Sequence, residues 1–282
     1  MLAEQQEQQR QQPQIILPQV EPRGLEFVDG YVKNMVSVVM PAFNESRMIA
    51  KAIRDVKKMF ESLELDYEII VVDDGSTDDM SIVVGNLDDE KVRLVRYPVN
   101  KGKGYAFKTG FYHALGEYVF MMDSDSEVRP CDLRSFIREL QRSDIAIGSK
   151  RHPGSTVHSP ATRRFFSTGL QALAKICTGI KISDTQTGFK AAKSRSVYKI
   201  LPLMSVKRFA FDIEFLTIAT MLGLKIGELP VEIDLKKLAG PNKIFRTFVD
   251  LLGITYRLRV RRWYQENMRG MEATYHPIIR WR

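Results

Sequence analysis

Acidic residues follow an apolar run in the middle of the chain, at Asp123-Ser124-Asp125, with Glu127 two positions later. The preceding residues, 118–122 (YVFMM), are aromatic, β-branched or otherwise apolar, which is typical of a buried strand. Carboxylates directly after a buried strand are costly unless a cation or water reaches them. Oxygen ligands suit Mg²⁺ or Mn²⁺, which share their remaining positions with water and phosphate oxygens. The segment is therefore a candidate cation site, and the alternative is an acidic, solvated turn.

Two further strand patterns end in polar groups. Residues 36–40 predict a buried strand that stops at Pro41 and leads to Asn44-Glu45, and residues 68–72 predict a strand that leads to Asp73-Asp74. In an open parallel sheet, ligands bind outside the carboxyl ends of the strands, and all three ends would share one edge. This convergence favours a binding site over a solvated turn at 123–127.

Helical and strand patterns alternate through the first half of the chain. Helical periodicity covers 49–63, 107–115 and 132–141, and further strands are predicted at 92–97 and 144–148. This alternation predicts an α/β fold, a mostly parallel Rossmann-like sheet flanked by helices, as a nucleotide-binding half that reaches about residue 150. Beyond it we expect an amphipathic helix over 163–180, a helix from 211 to about 222, and one or two strands within 225–235.

The two ends of the chain differ from its centre. Residues 1–30 are Gln-rich with scattered prolines, which predicts a disordered or loosely docked arm before a domain over 31–252. The segment 253–282 is basic and aromatic, with seven arginines against two glutamates from Arg257 onward and both tryptophans. Such a tail, beside an amphipathic helix, is typical of a protein that lies on an anionic bilayer surface. The alternatives are a tail that packs on the domain or one that binds nucleic acid.

The composition points to an anionic partner, because the 282-residue chain has a net charge of +8 and a pI near 9.4. No nucleic-acid-binding motif is present, so nucleic acid is not the expected partner. No apolar run approaches the ~18 residues that span a bilayer, and the N-terminus lacks the apolar core of a signal peptide. We expect a cytoplasmic protein, either soluble or peripheral on the cytoplasmic face of a membrane.

An anionic nucleotide needs a polar rim for its base and ribose and a cation for its diphosphate. Asp73 or Asp74 can accept hydrogen bonds from a ribose hydroxyl or a base, and Pro41 can form a flat wall. Lys103 lies in a glycine-flanked loop at a predicted helix start, where the helix dipole also favours anions. Asp123, with Asp125 and a divalent ion, would hold the diphosphate and stabilise the charge of a leaving group.

Six ordered motifs resemble those of a known enzyme family. Residues 38–45 (VVMPAFNE), 71–76 (VVDDGS), 100–104 (NKGKG) and 123–125 (DSD) resemble the signature set of family 2 inverting glycosyltransferases, which have the GT-A fold. Residues 184–190 (DTQTGFK) and 209–219 (FAFDIEFLTIA) are similar to polyprenyl-phosphate sugar transferases, to the dolichyl-phosphate β-glucosyltransferases first and the dolichyl-phosphate mannose synthases next.

The resemblance covers about residues 35–252 and implies one reaction. A hexose, glucose or mannose, would pass from UDP-glucose or GDP-mannose to a polyprenyl or dolichyl phosphate at the cytoplasmic membrane face, with Mg²⁺ or Mn²⁺. Two alternatives remain open. The acceptor could be a soluble sugar, a protein or a glycolipid, or the chain could be a non-catalytic module that binds a nucleotide sugar or nucleic acid.

The resemblance also implies roles for single residues. The nucleotide sugar would contact Asp123, near the ribose or sugar, and the following residues: Pro41, Ala42, Asn44, Glu45, Asp73, Asp74, Lys103, Lys237 and Lys243. The turn that carries Lys243 lacks the serine of the family pattern. Asp125 would bind the metal, with Glu127 as a second ligand and Asp123 beside them.

Residues further along the chain are also assigned roles. Lys150 or Arg151 would hold the acceptor phosphate. Asp212, in the first turn of a predicted helix, could be catalytic or could only complement the helix dipole, and for Glu214 the structural role is favoured. Asp184 would brace its turn or support the site.

Overall fold

The computed structural model describes residues 14–16, 27–63, 65–124, 128–130, 132–234 and 240–272. Within these ranges, twelve strands form one large and one small sheet. They are β1 Gln14–Ile16, β2 Phe27–Val28, β3 Tyr31–Ala42, β4 Asp66–Asp74, β5 Val92–Tyr97, β6 Gly116–Met121, β7 Val128–Pro130, β8 Ile145–Gly148, β9 Thr156–His158, β10 Lys190–Lys193, β11 Ile226–Leu229 and β12 Val231–Asp234.

Nine helices surround the sheets in the described part of the chain. They are α1 Ile49–Glu61, α2 Met80–Gly85, α3 Lys103–His113, α4 Leu133–Leu140, α5 Ala161–Thr178, α6 Ser194–Ile200, α7 Phe211–Met221, α8 Pro241–Thr255 and α9 Trp263–Glu272, with a 3₁₀ turn at Leu201–Leu203 and a π-helical turn at Tyr256–Val260.

The large sheet has the order β1-β5-β4-β3-β6-β10-β8-β11, with β2 paired to β3. Strands β5, β4, β3 and β6 are mutually parallel, β11 is parallel to β8, and β10 runs antiparallel between β6 and β8. A small sheet of order β7-β12-β9 lies apart from it. The mostly parallel sheet flanked by helices confirms the predicted α/β class, whereas the alternation pattern did not predict the antiparallel β10.

The sheet is covered on both faces because successive strand residues point to opposite sides. Val38 packs in one hydrophobic cluster with α1, α2 and α4, and its neighbour Val39 packs in the other with α3, α6 and α7. A strand buried on both faces has no position that faces solvent, which explains why residues 36–40 are apolar except for Ser37. The Ser37 hydroxyl donates to Glu68 at 2.6 Å.

One local prediction is corrected. Strand β3 continues through Pro41, which pairs with Val72 in register, because a proline at a strand end sacrifices only its own N–H. Beyond this strand and β4, Ser76 joins two loops, because its N–H donates to Asp73 and its hydroxyl accepts from the Asn44 N–H.

The ends of the chain also contact the domain where they are described. Strand β1, within the predicted N-terminal arm, pairs antiparallel with β5. Near the other end, Tyr264 of α9 is fully buried and its hydroxyl donates to Glu214 Oε1 at 2.5 Å. Helix α8 crosses the predicted boundary at 252/253 without a break. No helix in the described ranges has both the length and the hydropathy to cross a membrane.

The fully buried carboxylate of Glu214 connects three segments. It accepts hydrogen bonds from the backbone N–H groups of Ser205 (3.0 Å) and Val206 (2.7 Å), and Arg257 Nη2 lies 3.3 Å away. Together with Tyr264, these contacts attach the π-helical turn and α9 to the loop before α7. Glu214 is therefore a structural residue, as its position in the first turn of a helix favoured.

We predict that Glu214→Gln lowers the free energy of unfolding by about 2–4 kcal/mol, because an amide cannot accept from all these donors and leaves Arg257 without its carboxylate. Urea denaturation followed by circular dichroism measures the change. The exposed Glu232→Gln is the matched control and should change stability by under about 0.5 kcal/mol. Equal stability of the two variants would contradict the structural role of Glu214.

Candidate functional site

The predicted acidic strand ends lie along one edge of the large sheet. Strand β3 lies between β4 and β6, and Ala42 pairs with Asp73 while Val39 pairs with Met121. Asp73 and Asp74 end β4, and Asp123 follows β6 by two residues. The backbones of these two ends are therefore separated by two strand spacings, about 10 Å. These strand ends therefore share one edge of the sheet, as the strand patterns predicted.

Asp73 holds the turn that follows β4. It is fully buried, its Oδ1 accepts the Ser76 N–H at 2.8 Å, and its Oδ2 lies 3.2 Å from Arg96 Nε. Asn44, in the left-handed region at φ 56°, accepts the Thr77 N–H at 2.8 Å. These contacts fix the loops after β3 and β4 against each other.

Asp74 braces the glycine-rich loop. Its carboxylate accepts from the Tyr97 hydroxyl (2.7 Å) and from the backbone N–H groups of Lys101 (2.7 Å) and Gly102 (2.9 Å). Burial raises the pKa of Asp74 above its ordinary value, although these hydrogen bonds act in the opposite direction. Gly102 has φ 97°, and a Cβ there would lie 2.5 Å from the Lys207 carbonyl, so only glycine fits. The loop thus delivers Lys103 to the first position of α3.

Four charged side chains from different elements meet at this edge. Lys103 Nζ lies 2.5 Å from Asp123 Oδ1, and Lys190 Nζ lies 2.6 Å from Asp212 Oδ1. Burial raises the pKa of Asp212, the nearby charges of Lys190 and Lys103 lower it, and the charge of Asp123 raises it, so the two pairs interact. We call Lys103, Asp123, Lys190 and Asp212 the charge cluster.

The antiparallel strand β10 explains how Lys190 reaches the cluster. Lys190 pairs in register with Met121, so it lies beside the end of β6 and close to Asp123. It is almost completely buried, and it also donates to the Thr187 carbonyl. No role was predicted for Lys190, although a lysine within the otherwise apolar segment 189–192 (FKAA) is a signal of a buried charge.

Gly188 allows the turn before β10 to approach Asp123. A Cβ atom at position 188 would collide with Asp123 Oδ2, and the next contact, to Asp123 Cγ, would be 3.0 Å. The DTQTGFK segment and the DSD segment, 60 residues apart in the chain, therefore share one surface. Asp123 has no room to move towards this turn.

A third ion pair lies at the end of β8. Asp184 is buried, accepts the Lys150 N–H at 2.9 Å and lies 3.2 Å from Lys150 Nζ. Burial alone would raise the pKa of Asp184, but the charge of Lys150 and the hydrogen bonds from Thr187, Lys150 and Gln186 hold it below its ordinary value. Arg151 is exposed, with the Thr168 hydroxyl 3.5 Å from its guanidinium.

The remaining predicted residues are distributed as follows. Pro41 and Ala42 are buried at the end of β3, and the Glu45 carbonyl accepts the first backbone hydrogen bonds of α1. Asp125, Glu127 and Lys237 lie outside the described residues, as does the side chain of Lys243 in the first turn of α8. Within the described ranges, no three His, Cys, Asp or Glu side chains are grouped to hold a metal. The predicted ligand set therefore stays a prediction.

We predict that Asp184→Asn lowers the free energy of unfolding by about 2–4 kcal/mol near pH 7, because it leaves Lys150 without its carboxylate. A carboxylate whose folded pKa is depressed stabilises the protein above its unfolded value, about 3.9, and loses that contribution as pH falls through the folded value. The difference from the unsubstituted protein should therefore narrow below about pH 4.

Urea denaturation at a series of pH values measures this difference. The exposed Asp66→Asn, at the start of β4, serves as the control and should change stability little at any pH. A penalty for Asp184→Asn that is the same at all pH values would contradict the ion-pair assignment.

Comparison with known proteins gives two consistent findings. The family model Glycosyl transferase family 2 matches residues 37–201. The chain is 34% identical over 244 residues to a dolichyl-phosphate beta-glucosyltransferase of Trichomonas vaginalis, across 81% of this chain and 75% of that protein. It is 31% identical over 259 residues to the dolichyl-phosphate beta-glucosyltransferase of Homo sapiens, across 84% of this chain and 79% of that protein.

The fold is shared with a solved enzyme. The crystal structure of glucosyl-3-phosphoglycerate synthase from Mycobacterium tuberculosis in complex with Mn²⁺, UDP-glucose and phosphoglyceric acid superposes with a TM-score of 0.56. The two chains are 20% identical, over 79% of this chain and 80% of that one. This likeness confirms the GT-A type of fold. With a family match over more than half of its length, and relatives above 30% identity over most of theirs, the chain belongs to glycosyl transferase family 2 and is a glycosyltransferase.

Proposed function

We propose that this enzyme transfers glucose from UDP-glucose to a dolichyl or other polyprenyl phosphate. The observation that carries the proposal is the charge cluster at the carboxyl edge of the sheet, in a chain 34% identical to a dolichyl-phosphate beta-glucosyltransferase. Buried opposite charges at a ligand-binding edge are costly to assemble, and such arrangements concentrate at functional sites. Transfer of mannose from GDP-mannose is the second candidate, from the sequence resemblance alone.

The donor would lie along the ends of β3, β4 and β6. The loops fixed by Asp73 and Asn44 would form the rim for the base and ribose, with Pro41 and Ala42 as the wall and Glu45 beside them. Lys103 would contact the diphosphate, because it starts α3 and its ammonium group already lies against Asp123. Lys237 and Lys243 would add positive charge to the same diphosphate.

The residues present fit a divalent metal. Asp123 offers carboxylate oxygens at the point where the structure already holds a cationic group, the Lys103 ammonium, at 2.5 Å. Oxygen ligands of this kind suit Mg²⁺ or Mn²⁺. Asp123, Asp125 and Glu127 would hold the ion, which would neutralise charge on the departing diphosphate when bound.

The acceptor phosphate would lie near the end of β8. Lys150 is fixed by Asp184, so it would supply a positioned charge, and the exposed guanidinium of Arg151 would supply the bidentate contact. One anionic oxygen of the acceptor phosphate would attack the anomeric carbon as the bond from that carbon to UDP breaks. This single displacement inverts the anomeric configuration, and it needs no strong base because the phosphate is already ionised.

We propose that the enzyme docks on the cytoplasmic face of an anionic membrane through α8 and the π-helical turn. Apolar side chains at helical spacing are exposed along these elements and define an apolar stripe: Phe245, Phe248, Val249, Leu252, Tyr256 and Val260. Exposed arginines flank the stripe at positions 246, 259, 261 and 262. An exposed apolar stripe bordered by arginines complements a bilayer surface with anionic headgroups.

We predict transfer of labelled glucose from UDP-glucose into an organic-extractable product when the full chain is given Mn²⁺ or Mg²⁺ and a polyprenyl phosphate. UDP-glucose should exceed GDP-mannose by at least about tenfold in kcat/KM, and excess EDTA should abolish transfer. Preference for GDP-mannose would show that GDP-mannose, and not UDP-glucose, is the donor. Transfer only to water-soluble acceptors would overturn the acceptor assignment.

A second prediction tests the charge cluster itself. Gly188→Ala should lower kcat/KM for glucose transfer by at least about tenfold, because the added methyl group displaces Asp123. Gly169→Ala on α5 is the matched control, since a Cβ there meets nothing within 4 Å, and its activity should stay within about twofold. Circular dichroism must report both variants folded. Full activity of Gly188→Ala would show that Asp123 is not needed where it lies.

A further inference from the structure

A basic cleft lies between α8 and the loop that precedes α7. Its volume is about 340 Å³, at the lower end of the range of small-molecule sites. It is lined by Lys101, Ser205, Val206, Lys207, Arg208, Val249, Asp250, Gly253 and Arg257. None of these residues belongs to the groups assigned above to the donor, the metal or the acceptor.

The charges of the cleft favour an anion. Arg208 Nη2 pairs with Asp250 at 2.8 Å, and Arg257 shares its charge with Glu214. Lys101 and Lys207 line the same space, and no carboxylate lies within 4.0 Å of either ammonium group in the described ranges. The cleft therefore keeps an excess of positive charge, which a phosphate group would neutralise.

A neighbouring lysine is consistent with this excess of charge. Lys108 Nζ lies 3.3 Å from the Met204 carbonyl, at the loop that leads into the cleft. Burial lowers the pKa of Lys108, the charge of Glu214 raises it, and the charge of Lys207 lowers it further. The ammonium groups of Lys108 and Lys207 therefore lie close enough to repel each other.

The cleft borders the apolar stripe of α8. Val249 and Gly253 lie four residues apart on one side of α8, and Arg257 follows in the π-helical turn. Val249 belongs to both the cleft and the stripe. A phosphate group in the cleft would lie at the edge of the surface proposed to contact the bilayer. A lipid headgroup bound there would leave its acyl chains beside exposed apolar side chains.

The cleft also contacts the loop that carries Lys103. The Lys207 carbonyl accepts the Tyr105 N–H at 3.1 Å and packs against Gly102. Lys101 Nζ lies over the Tyr105 ring, 4.7 Å from its centroid. A ligand that contacts both Lys101 and Lys207 would therefore hold together the two segments that support the start of α3.

We propose that this cleft binds the phosphate group of an anionic membrane phospholipid. The inference rests on the proposed docking of α8 on a membrane, and it adds a defined headgroup site to a general attraction between the arginines and the bilayer. Inorganic phosphate carries the same chemistry, so the experiment separates the two sources.

The test measures sedimentation of the full chain with vesicles of phosphatidylcholine alone or with phosphatidylserine added. Lys207→Glu is compared with Arg246→Glu, a matched charge reversal that flanks the stripe outside the cleft, and Lys207→Arg tests rescue. Lys207→Glu should lose at least about tenfold more affinity for anionic vesicles than Arg246→Glu, and Lys207→Arg should retain binding. Millimolar inorganic phosphate, at constant ionic strength, should displace Arg246→Glu from the vesicles as it displaces the unsubstituted chain.

Each contrary outcome has a separate meaning. Equal losses for the two reversals would overturn the headgroup site and leave only diffuse charge attraction. Calorimetric binding of inorganic phosphate that depends on Lys207, with vesicle binding that does not, would overturn the lipid source. Failure of the unsubstituted chain to bind any vesicle would overturn membrane docking and this inference together. Glucose transfer to a short-chain, water-soluble polyprenyl phosphate is measured in parallel, so a failure of the proposed reaction is recognised separately.

Discussion

The ion pair between Lys103 and Asp123 joins the start of α3 to the end of β6, and it lies beside the Lys190–Asp212 pair from the second half of the chain. Charges removed from water are tolerated only when opposite charges and hydrogen bonds compensate them. The adjacent pair, Lys190 and Asp212, is more deeply buried than the first. Four elements must therefore be in place before any of these charges is stabilised. The charge cluster thus requires the complete fold, including the antiparallel strand β10.

Several carboxylates in this protein fix the position of a neighbouring segment, whereas others are candidate metal ligands. Asp74 holds the loop before Lys103, Asp184 holds the backbone and side chain of Lys150, and Glu214 attaches the C-terminal helices. Each of these carboxylates contacts a lysine or arginine, or holds the loop that carries one, and the proposals place that cation at a substrate or at the membrane. Such support fixes a flexible lysine or arginine in one geometry, which lowers the entropy lost when a phosphate binds.

The C-terminal helices combine two roles that the sequence pattern treated as alternatives. Tyr264, Leu251 and Ile254 are buried in the core, while the apolar stripe on the other side of α8 is exposed. A helix with apolar groups on two sides can pack on its own domain and still present an apolar surface outward. Packing on the domain therefore does not compete with the proposed contact with a membrane.

The sequence by itself determined the parallel core and its ligand-binding edge, because apolar runs and the polar residues after them are local features. Strands at 36–40, 68–72 and 118–122 and the acidic residues that follow them needed no knowledge of distant contacts. The motifs resembling family 2 glycosyltransferases were likewise contiguous. The local pattern predicted Asp74 as an acceptor for the nucleotide, but it did not indicate that the oxygens of Asp74 hold the loop at 100–104.

Only the tertiary structure decided which charges meet. Nothing near Lys190 in sequence shows that β10 inserts antiparallel beside β6, and nothing near Gly188 shows that its missing side chain makes room for Asp123. The same holds for Glu214 and Tyr264, which are 50 positions apart. The insertion of β10 and the pairing of buried charges depend on contacts between distant segments. The entropy lost when the chain between them closes, and the burial of the paired charges, are set by the whole fold. Local propensity therefore located the edge of the site, and long-range packing determined the side chains assembled there.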